Sequence, residues 1–180
     1  MKVCVGFTLI ELVVVILLLG IVALSAQSRW PGRSSFQAQL ARDQAGSILR
    51  QLQLGAMQFD ATSNMAALTP EQRLAVQCRR IEVSEQHFGA PIAVDGVACE
   101  MSSARLSTAA DGVRFALQGG LDATLPLYFD LLGRPVQMMV QGAVSVCRAE
   151  ACQFTFSPQQ SDTATSALLC LNYEGFIFDC

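Results

Sequence analysis

A single apolar stretch near the amino terminus constrains this chain more than any other feature. Residues 7–26 are apolar or small, and Glu11 is the one charge among them. As a helix rising ~1.5 Å per residue, the stretch spans about 30 Å, the hydrocarbon thickness of a bilayer, and it satisfies its own backbone hydrogen bonds. The sequence therefore predicts a membrane-spanning helix over residues 7–26, or a product processed from one.

Glu11 helps to decide what kind of apolar segment this is. An ionised carboxylate inside a bilayer costs on the order of 3 kcal/mol, so it seldom persists there without a partner. A secretory signal peptide would be cleaved near Ala23-Leu24-Ser25, but Glu11 would then lie in a core that should be uncharged. A lipoprotein needs small residues before its cysteine, and Lys2-Val3 precede Cys4. A plain membrane anchor tolerates a glutamate near its cytoplasmic edge, but this interpretation gives no reason for Glu11 to be there.

The segment Gly6-Phe7-Thr8-Leu9-Ile10-Glu11 resembles the type IV prepilin motif at every core position. The resemblance implies that residues 1–6 are a leader peptide, removed by prepilin peptidase after Gly6. Phe7 would become the N-methylated amino terminus. Glu11 would pair with the Phe7 amine of an adjacent subunit during assembly.

The same resemblance implies a location and a set of partners. The subunit would be a single-pass protein of the bacterial inner membrane with its globular domain in the periplasm, and it would later enter an extracellular pilus or a pseudopilus. Its partners would be the prepilin peptidase and N-methyltransferase, other major and minor pilins, the inner-membrane assembly platform, and membrane lipid before assembly.

The cysteine count indicates an oxidising compartment. The chain has seven cysteines, and removal of Cys4 with the leader leaves an even set, as disulfides formed in the periplasm require. Six cysteines permit 15 pairings, so the sequence leaves the connectivity open. Zinc is the alternative, disfavoured by the absence of a Cys-x-x-Cys motif and by a single histidine.

Three cysteine pairs rank above the other combinations. A hairpin turn predicted at residues 148–151 favours the first pair, and the full ranking is Cys147–Cys152, then Cys78–Cys99, then Cys170–Cys180. The last pair is the weakest, because a hairpin turning at Tyr173-Glu174 would set Cys170 opposite Ile177.

Residues 27–60 are predicted to form a kink followed by an amphipathic helix. Pro31 removes a helix hydrogen bond and restricts Trp30, so the apolar helix should break there. Ser34 and Gln37 are predicted to cap the second helix as a capping box. Its apolar stripe consists of Ala41, Ala45, Ile48, Leu52 and Phe59. The resemblance implies that this stripe packs on a sheet of the same chain.

Residues 61–180 are predicted to form a β-rich globular domain. A short helix should begin at Pro70 with Thr69 as its cap. The strands that follow are closely spaced without helices between them, which indicates antiparallel pairing. They are predicted at residues 80–84, 91–94, 97–101, 113–117, 125–130, 136–140, 143–147, 153–157, 167–171 and 176–178. The fold class is therefore α+β, and the resemblance implies a type IV pilin fold: a long N-terminal helix, transmembrane then amphipathic, packed on a C-terminal antiparallel sheet domain.

Two turn-forming stretches place the chain more finely within that family. The segment Tyr128-Phe129-Asp130-Leu131-Leu132-Gly133-Arg134-Pro135 resembles a turn of GspH/FimT-like minor pilins and pseudopilins, and residues 169–177 look like the closing hairpin of that group. With the cysteines, these stretches are similar to the MshC-like minor prepilins of the mannose-sensitive haemagglutinin (MSHA) pilus. Structurally, Asp130 and Gly133 need only be turn formers.

Composition and motifs argue against several functions. The net charge is −3 and the arginines are scattered, so we expect no nucleic-acid partner. The single histidine, His87, is expected in a loop or at the surface, and no nucleophile motif, P-loop or dinucleotide fingerprint occurs. We therefore expect no enzyme activity, no cofactor and no metal.

Three functions are compatible with the sequence. The first is a minor type IV pilin that enters a pilus or primes its assembly. The second is a GspH-like pseudopilin of a type II secretion system. The third is a pilus-tip adhesin that binds a surface or glycan through exposed aromatic residues such as Tyr173 or Phe176.

Overall fold

The computed structural model describes residues 9–27, 32–58, 68–139, 142–159 and 166–180. The chain divides into two units, with the boundary between Arg33 and Ser34. The first unit contains helix α1 (Leu9–Gln27), and helix α2 (Gly32–Ala56) belongs almost entirely to the second. The class is α+β, as predicted.

Helix α2 directs an apolar stripe into the core of the second unit. The predicted members Ala41, Ala45, Ile48 and Leu52 are all buried, which confirms this part of the stripe, whereas Phe59 lies outside the described residues. The capping prediction is wrong, because α2 begins at Gly32 and Ser34 lies within it. An N-cap residue must precede the first turn of its helix, so Ser34 cannot be the N-cap of α2.

Helix α3 (Pro70–Gln77) begins where the sequence predicts. The Oγ1 atom of Thr69 accepts a hydrogen bond from the Gln72 backbone N–H at 3.2 Å, and the Gln72 Oε1 atom accepts one from the Thr69 N–H at 3.0 Å. This capping box satisfies two of the N–H groups that a helix start leaves without intrahelical partners.

Every strand pair in the described ranges is antiparallel, as predicted. One sheet has the order β1-β2-β5 and consists of β1 (Glu82–Ser84), β2 (His87–Gly89) and β5 (Arg105–Ser107). A two-stranded hairpin consists of β3 (Ala93–Val94) and β4 (Val97–Ala98). A 3-10 turn (Ser102–Ala104) precedes β5, and the one-turn helix α4 (Thr108–Asp111) follows it.

Two further sheets complete the second unit. The four-stranded sheet has the order β12-β11-β10-β6 and consists of β6 (Val113–Gln118), β10 (Cys152–Pro158), β11 (Ala167–Leu171) and β12 (Ile177–Asp179). The remaining sheet has the order β7-β8-β9 and consists of β7 (Leu127–Phe129), β8 (Pro135–Met139) and β9 (Gly142–Ser145).

The core of the second unit contains buried residues of α2 and of these sheets, including a cluster of phenylalanines. Alternate residues of β10 point inward, so Phe154 and Phe156 both reach the ring of Phe88, at centroid distances of 5.4 and 5.6 Å. Phe115 meets Phe156 edge to face at 6.0 Å. Edge-to-face pairs of this kind stabilise a core by about 0.5–1.5 kcal/mol beyond the area that they bury.

Three local predictions differ from the structure. Strands β2 and β5 were not predicted, because each has three residues, too few for an alternating pattern to stand out. The turn between Cys147 and Cys152 is not a hairpin, since β9 pairs with β8 whereas β10 pairs with β6 and β11.

The third difference is the register of the closing hairpin, where Cys170 lies opposite Phe178 rather than Ile177. The Asn172 backbone N–H bonds to the carbonyl of Phe176, which leaves three residues in the loop instead of two. Gly175 occupies the left-handed region at φ +87°, as the third residue of such a loop requires.

Candidate functional site

Helix α1 carries the part of the chain that the sequence links most directly to function. Glu11 lies in its first turn, where a carboxylate interacts favourably with the positive end of the helix dipole. The large apolar side chains described on this helix are all exposed, from Leu9 at 83 % to Val13 at 39 %. A helix that is apolar on every face belongs in a non-aqueous environment, either lipid or other helices.

The predicted processing positions precede this helix. Gly6 and Phe7 lie outside the described residues, so cleavage and methylation there stay predictions, and Trp30 and Pro31 of the predicted kink lie outside them too. Within the described ranges, no helix meets the length and hydropathy that a membrane span requires.

Three disulfides link parts of the second unit. Cys78–Cys99 joins the end of α3 to the β3–β4 hairpin, with 5.5 Å between the Cα atoms. Cys147–Cys152 closes the turn between two sheets at 5.0 Å, and Cys170–Cys180 connects β11 to the residue after β12 at 5.7 Å. Disulfides persist in oxidising compartments such as the periplasm.

The turn between β7 and β8 is organised by the carboxylate of Asp130, which is only 7 % exposed. Its Oδ1 atom accepts hydrogen bonds from the backbone N–H groups of Leu132 and Arg134, at 2.9 and 2.8 Å, and its Oδ2 atom accepts one from the Arg134 Nε atom at 2.8 Å. Gly133 lies at φ +76°. Asp130 and Gly133 therefore form the turn, as the sequence suggested.

A glutamine of α2 joins this turn to the closing hairpin. The Nε2 atom of Gln53 donates hydrogen bonds to the carbonyl oxygens of Gly133 and Gly175, at 2.7 and 3.0 Å. The Oδ1 atom of Asn172 accepts from the N–H groups of Glu174 and Phe176 and so shapes the hairpin loop. Sequence reasoning missed Gln53, because a polar residue on a helix gives no sign of partners so distant in the chain.

The aromatic residues considered for adhesion lie at this hairpin. Tyr173 is 44 % exposed and Phe176 is 65 % exposed. The Phe176 ring stacks on that of Phe178, with 5.8 Å between centroids and 15° between planes. The two candidates are thus hairpin residues with exposed rings.

His87 lies on β2 and is half-buried, whereas a loop or surface position was expected. Its Nε2 atom is 3.1 Å from the carbonyl oxygen of Ala90. The residue lines an open cleft of about 470 Å³, with Glu82 and Ser84 of β1 on one side and the loop that contains Thr124 on the other. Among the described residues, no group of three or more His, Cys, Asp or Glu side chains is arranged to hold a metal ion.

An ion pair beside this cleft fixes the start of β1. The Nη2 atom of Arg80 is 2.6 Å from the Glu82 Oε1 atom, and the Arg80 Nε atom donates to the same oxygen at 2.7 Å. Burial raises the pKa of the neighbouring Tyr128 above its ordinary value, although Arg80 acts in the opposite direction.

Comparison with known families adds one finding. Residues 2–26 match the prokaryotic N-terminal methylation motif, which covers Gly6, Phe7, Glu11 and nearly all of α1. This match supports a type IV pilin-like protein that prepilin peptidase processes and that assembles with other pilins. No curated protein and no solved structure matches the chain significantly.

Proposed function

We propose that this chain is a minor type IV pilin of the MSHA-like kind, which prepilin peptidase processes and which enters a pilus or primes its assembly. The observation that carries the proposal is the methylation motif at residues 2–26, placed over a helix whose large apolar side chains, as described from Leu9 to Val22, are exposed. An antiparallel α+β unit with three disulfides follows that helix, an arrangement that fits the type IV pilin fold.

In this proposal, residues 7–26 hold the subunit in the inner membrane until it is extracted into the filament. Their apolar side chains then pack against the helices of other subunits as they packed against lipid. Glu11 pairs with the Phe7 amine of a neighbouring subunit. A buried ion pair adds little net stability but penalises a wrong register heavily, so its role is to select the register of the subunits.

The role is structural rather than enzymatic, and it needs no cofactor or metal. The partners are the prepilin peptidase and N-methyltransferase, other major and minor pilins, and the inner-membrane assembly platform. The second unit lies in the periplasm before assembly, where its three disulfides are stable.

The decisive experiment is the intact mass and N-terminal sequence of the chain from membranes that contain a prepilin peptidase. A start at Phe7 with one added methyl group supports the proposal. A start near Ala26 means ordinary secretion, and an intact Met1 means an unprocessed single-pass anchor. Either of the last two results overturns the proposal.

A type II secretion pseudopilin is the second candidate, because the methylation motif suits both kinds of filament. Gene neighbours separate the two: other prepilin genes with a retraction motor favour a pilus, and a secretin with exported enzymes favours secretion. A pilus-tip adhesin is the third candidate, motivated by the exposed rings of Tyr173 and Phe176. A glycan array probed with residues 34–180, and with the same fragment carrying Phe176→Ala, tests it.

A further inference from the structure

A groove with polar and apolar lining residues runs along the exposed side of α2 within the second unit. It has two halves, of about 600 and 350 Å³, which share Ser47 and Gln51 of the helix. The opposite wall consists of Arg79, Met101, Ser102, Ser103, Arg105, Leu106 and Asp111. All residues that line this surface, the α2 groove, belong to the second unit, and the pairing of Glu11 with the Phe7 amine proposed above does not involve them.

The α2 groove concentrates positive charge on a chain whose net charge is −3. Arg50 and Arg79 line the larger half, and Arg105 lines the smaller one. Asp111 is the one carboxylate in the lining, and its Oδ2 atom accepts a hydrogen bond from the Ser107 backbone N–H at 2.8 Å. The lining therefore has three guanidinium groups against one carboxylate.

Two of these guanidinium groups have unused hydrogen-bonding capacity. Three arginines elsewhere in this unit form ion pairs: Arg42 with Asp43 and Asp179, Arg80 with Glu82, and Arg134 with Asp130. In the described part of the chain, neither Arg50 nor Arg105 has such a partner. The Nη2 atom of Arg105 donates to the Cys99 carbonyl at 3.2 Å, and its Nε atom is buried, so the remaining terminal N–H groups are the ones that could meet a ligand.

The rest of the lining suits a peptide chain. Gln44, Gln51 and Ser47 offer amide and hydroxyl groups along the helix wall, and Ser102 and Ser103 offer hydroxyls opposite them. Such groups both donate and accept hydrogen bonds, as the backbone of a peptide requires. Leu54, which is 64 % exposed, and Met101 provide an apolar surface at the end of the larger half.

We propose that the α2 groove binds a carboxylate-bearing peptide segment of a neighbouring pilin subunit. Arg50 and Arg105 bind the carboxylates of that segment, the glutamines and serines bind its backbone, and Leu54 with Met101 receives one apolar side chain. Guanidinium groups suit this role, because their planar fork matches a carboxylate in a bidentate pair. The inference rests on the proposed function, which supplies the neighbouring subunit.

A nucleic acid fits the groove less well than an acidic peptide. Sites for single strands combine a positive track with aromatic side chains that stack on the bases. No aromatic residue lines either half of the groove. The net negative charge would also repel a long polyanion that extends beyond the three arginines.

The test uses the full-length chain in detergent micelles and a fluorescent decapeptide of alternating Glu and Ser, with a Gln-Ser decapeptide as the neutral control. We expect the acidic peptide to bind, with an affinity that falls as salt rises, and the neutral peptide to bind at least about tenfold more weakly. Arg50→Glu should lower the affinity for the acidic peptide at least about tenfold, and Arg50→Lys should lower it much less. Arg114→Glu, an exposed charge reversal on β6, is the matched control and should have no effect.

Equal affinity for the two peptides, or an equal loss in Arg50→Glu and Arg114→Glu, overturns the inference. So does tighter binding of an oligothymidylate than of the acidic peptide, which would point to nucleic acid instead. Because Arg50 is exposed, its substitution leaves the core intact, and an unchanged circular dichroism spectrum verifies this. Correct processing at Phe7 without charge-dependent peptide binding would remove this inference while the proposed function stands.

Discussion

The side-chain amide of Gln53 donates a hydrogen bond of 2.7 Å to the carbonyl oxygen of Gly133, which lies 80 residues later in the chain. Its second hydrogen bond, to Gly175, spans 122 residues. Both acceptors are buried backbone groups. One side chain of α2 therefore donates hydrogen bonds to two turns, the β7–β8 turn at Gly133 and the β11–β12 turn at Gly175.

Replacement of Gln53 by alanine is expected to destabilise the second unit by about 1–3 kcal/mol, because it leaves two buried carbonyl oxygens without donors. Urea unfolding with the disulfides intact, followed by circular dichroism, measures the change. Gln44→Ala removes an exposed glutamine of the same helix and should shift the midpoint little. Equal shifts in the two variants would contradict the structural role of Gln53.

The close approach of the two turns explains a second prediction, at Gly175. A Cβ atom there would collide with the Gly133 carbonyl oxygen, and the residue lies at φ +87°. Gly96 has a similar φ of +82° but open space around its Cα atom. Gly96→Ala should therefore cost only the backbone strain, about 1–2 kcal/mol, whereas Gly175→Ala should cost at least about 2 kcal/mol more. Equal losses of stability in the two variants, measured by thermal unfolding, would show that the contact with the Gly133 carbonyl oxygen adds no cost.

Substitution of Glu11 tests the assembly role of α1. Glu11→Val is expected to leave the chain in the membrane and cleaved after Gly6, but to reduce its incorporation into filaments, because the Phe7 amine of the neighbour then has no partner. Comparison of membrane and sheared-filament fractions by immunoblot measures this. Glu71→Val, at an exposed position of α3, is the control. Wild-type incorporation of Glu11→Val would remove the proposed role.

The titration of Tyr128 provides a prediction about pH. Burial raises its pKa above the ordinary 10.0, so the protonated form is favoured in the folded chain. This contribution to stability is fully present below pH 10.0 and is lost as the pH rises through the folded-state pKa. A Tyr173→Phe variant keeps Tyr128 as the remaining tyrosine. In this variant, the midpoint of the rise in phenolate absorbance should lie above pH 10.0 and should move to that value in urea. A midpoint that urea leaves unchanged would contradict the burial argument.

The elements that sequence predicts best are those whose signals are local. The stripe of α2 recurs every three or four residues, and the start of α3, with Thr69 as its cap and Pro70 after it, needs only adjacent positions. The turn at Asp130 is equally local, since its carboxylate binds groups within four residues. In each case the physical cause lies within one or two helical turns or one loop.

The parts that sequence missed depend on distant partners or on one extra loop residue. Strands β2 and β5 exist because each pairs with a neighbour, and Phe88 contributes to β2 by packing on Phe154 and Phe156 of another sheet. The strand register at Cys170 depends on whether Gly175 belongs to the hairpin loop. The charge of the α2 groove is equally hidden, since Arg50, Arg79 and Arg105 come from three separate segments.

The links made by Gln53 also bear on the order in which the chain folds during synthesis. The ribosome releases α2 long before the two turns that it holds, and Asp179, which pairs with Arg42 of α2 at 3.2 Å, emerges later still. Until then, the stripe of Ala41, Ala45, Ile48 and Leu52 lacks much of the surface that buries it. The native contacts of α2 can therefore be completed only after the carboxyl-terminal residues of the unit have been synthesised.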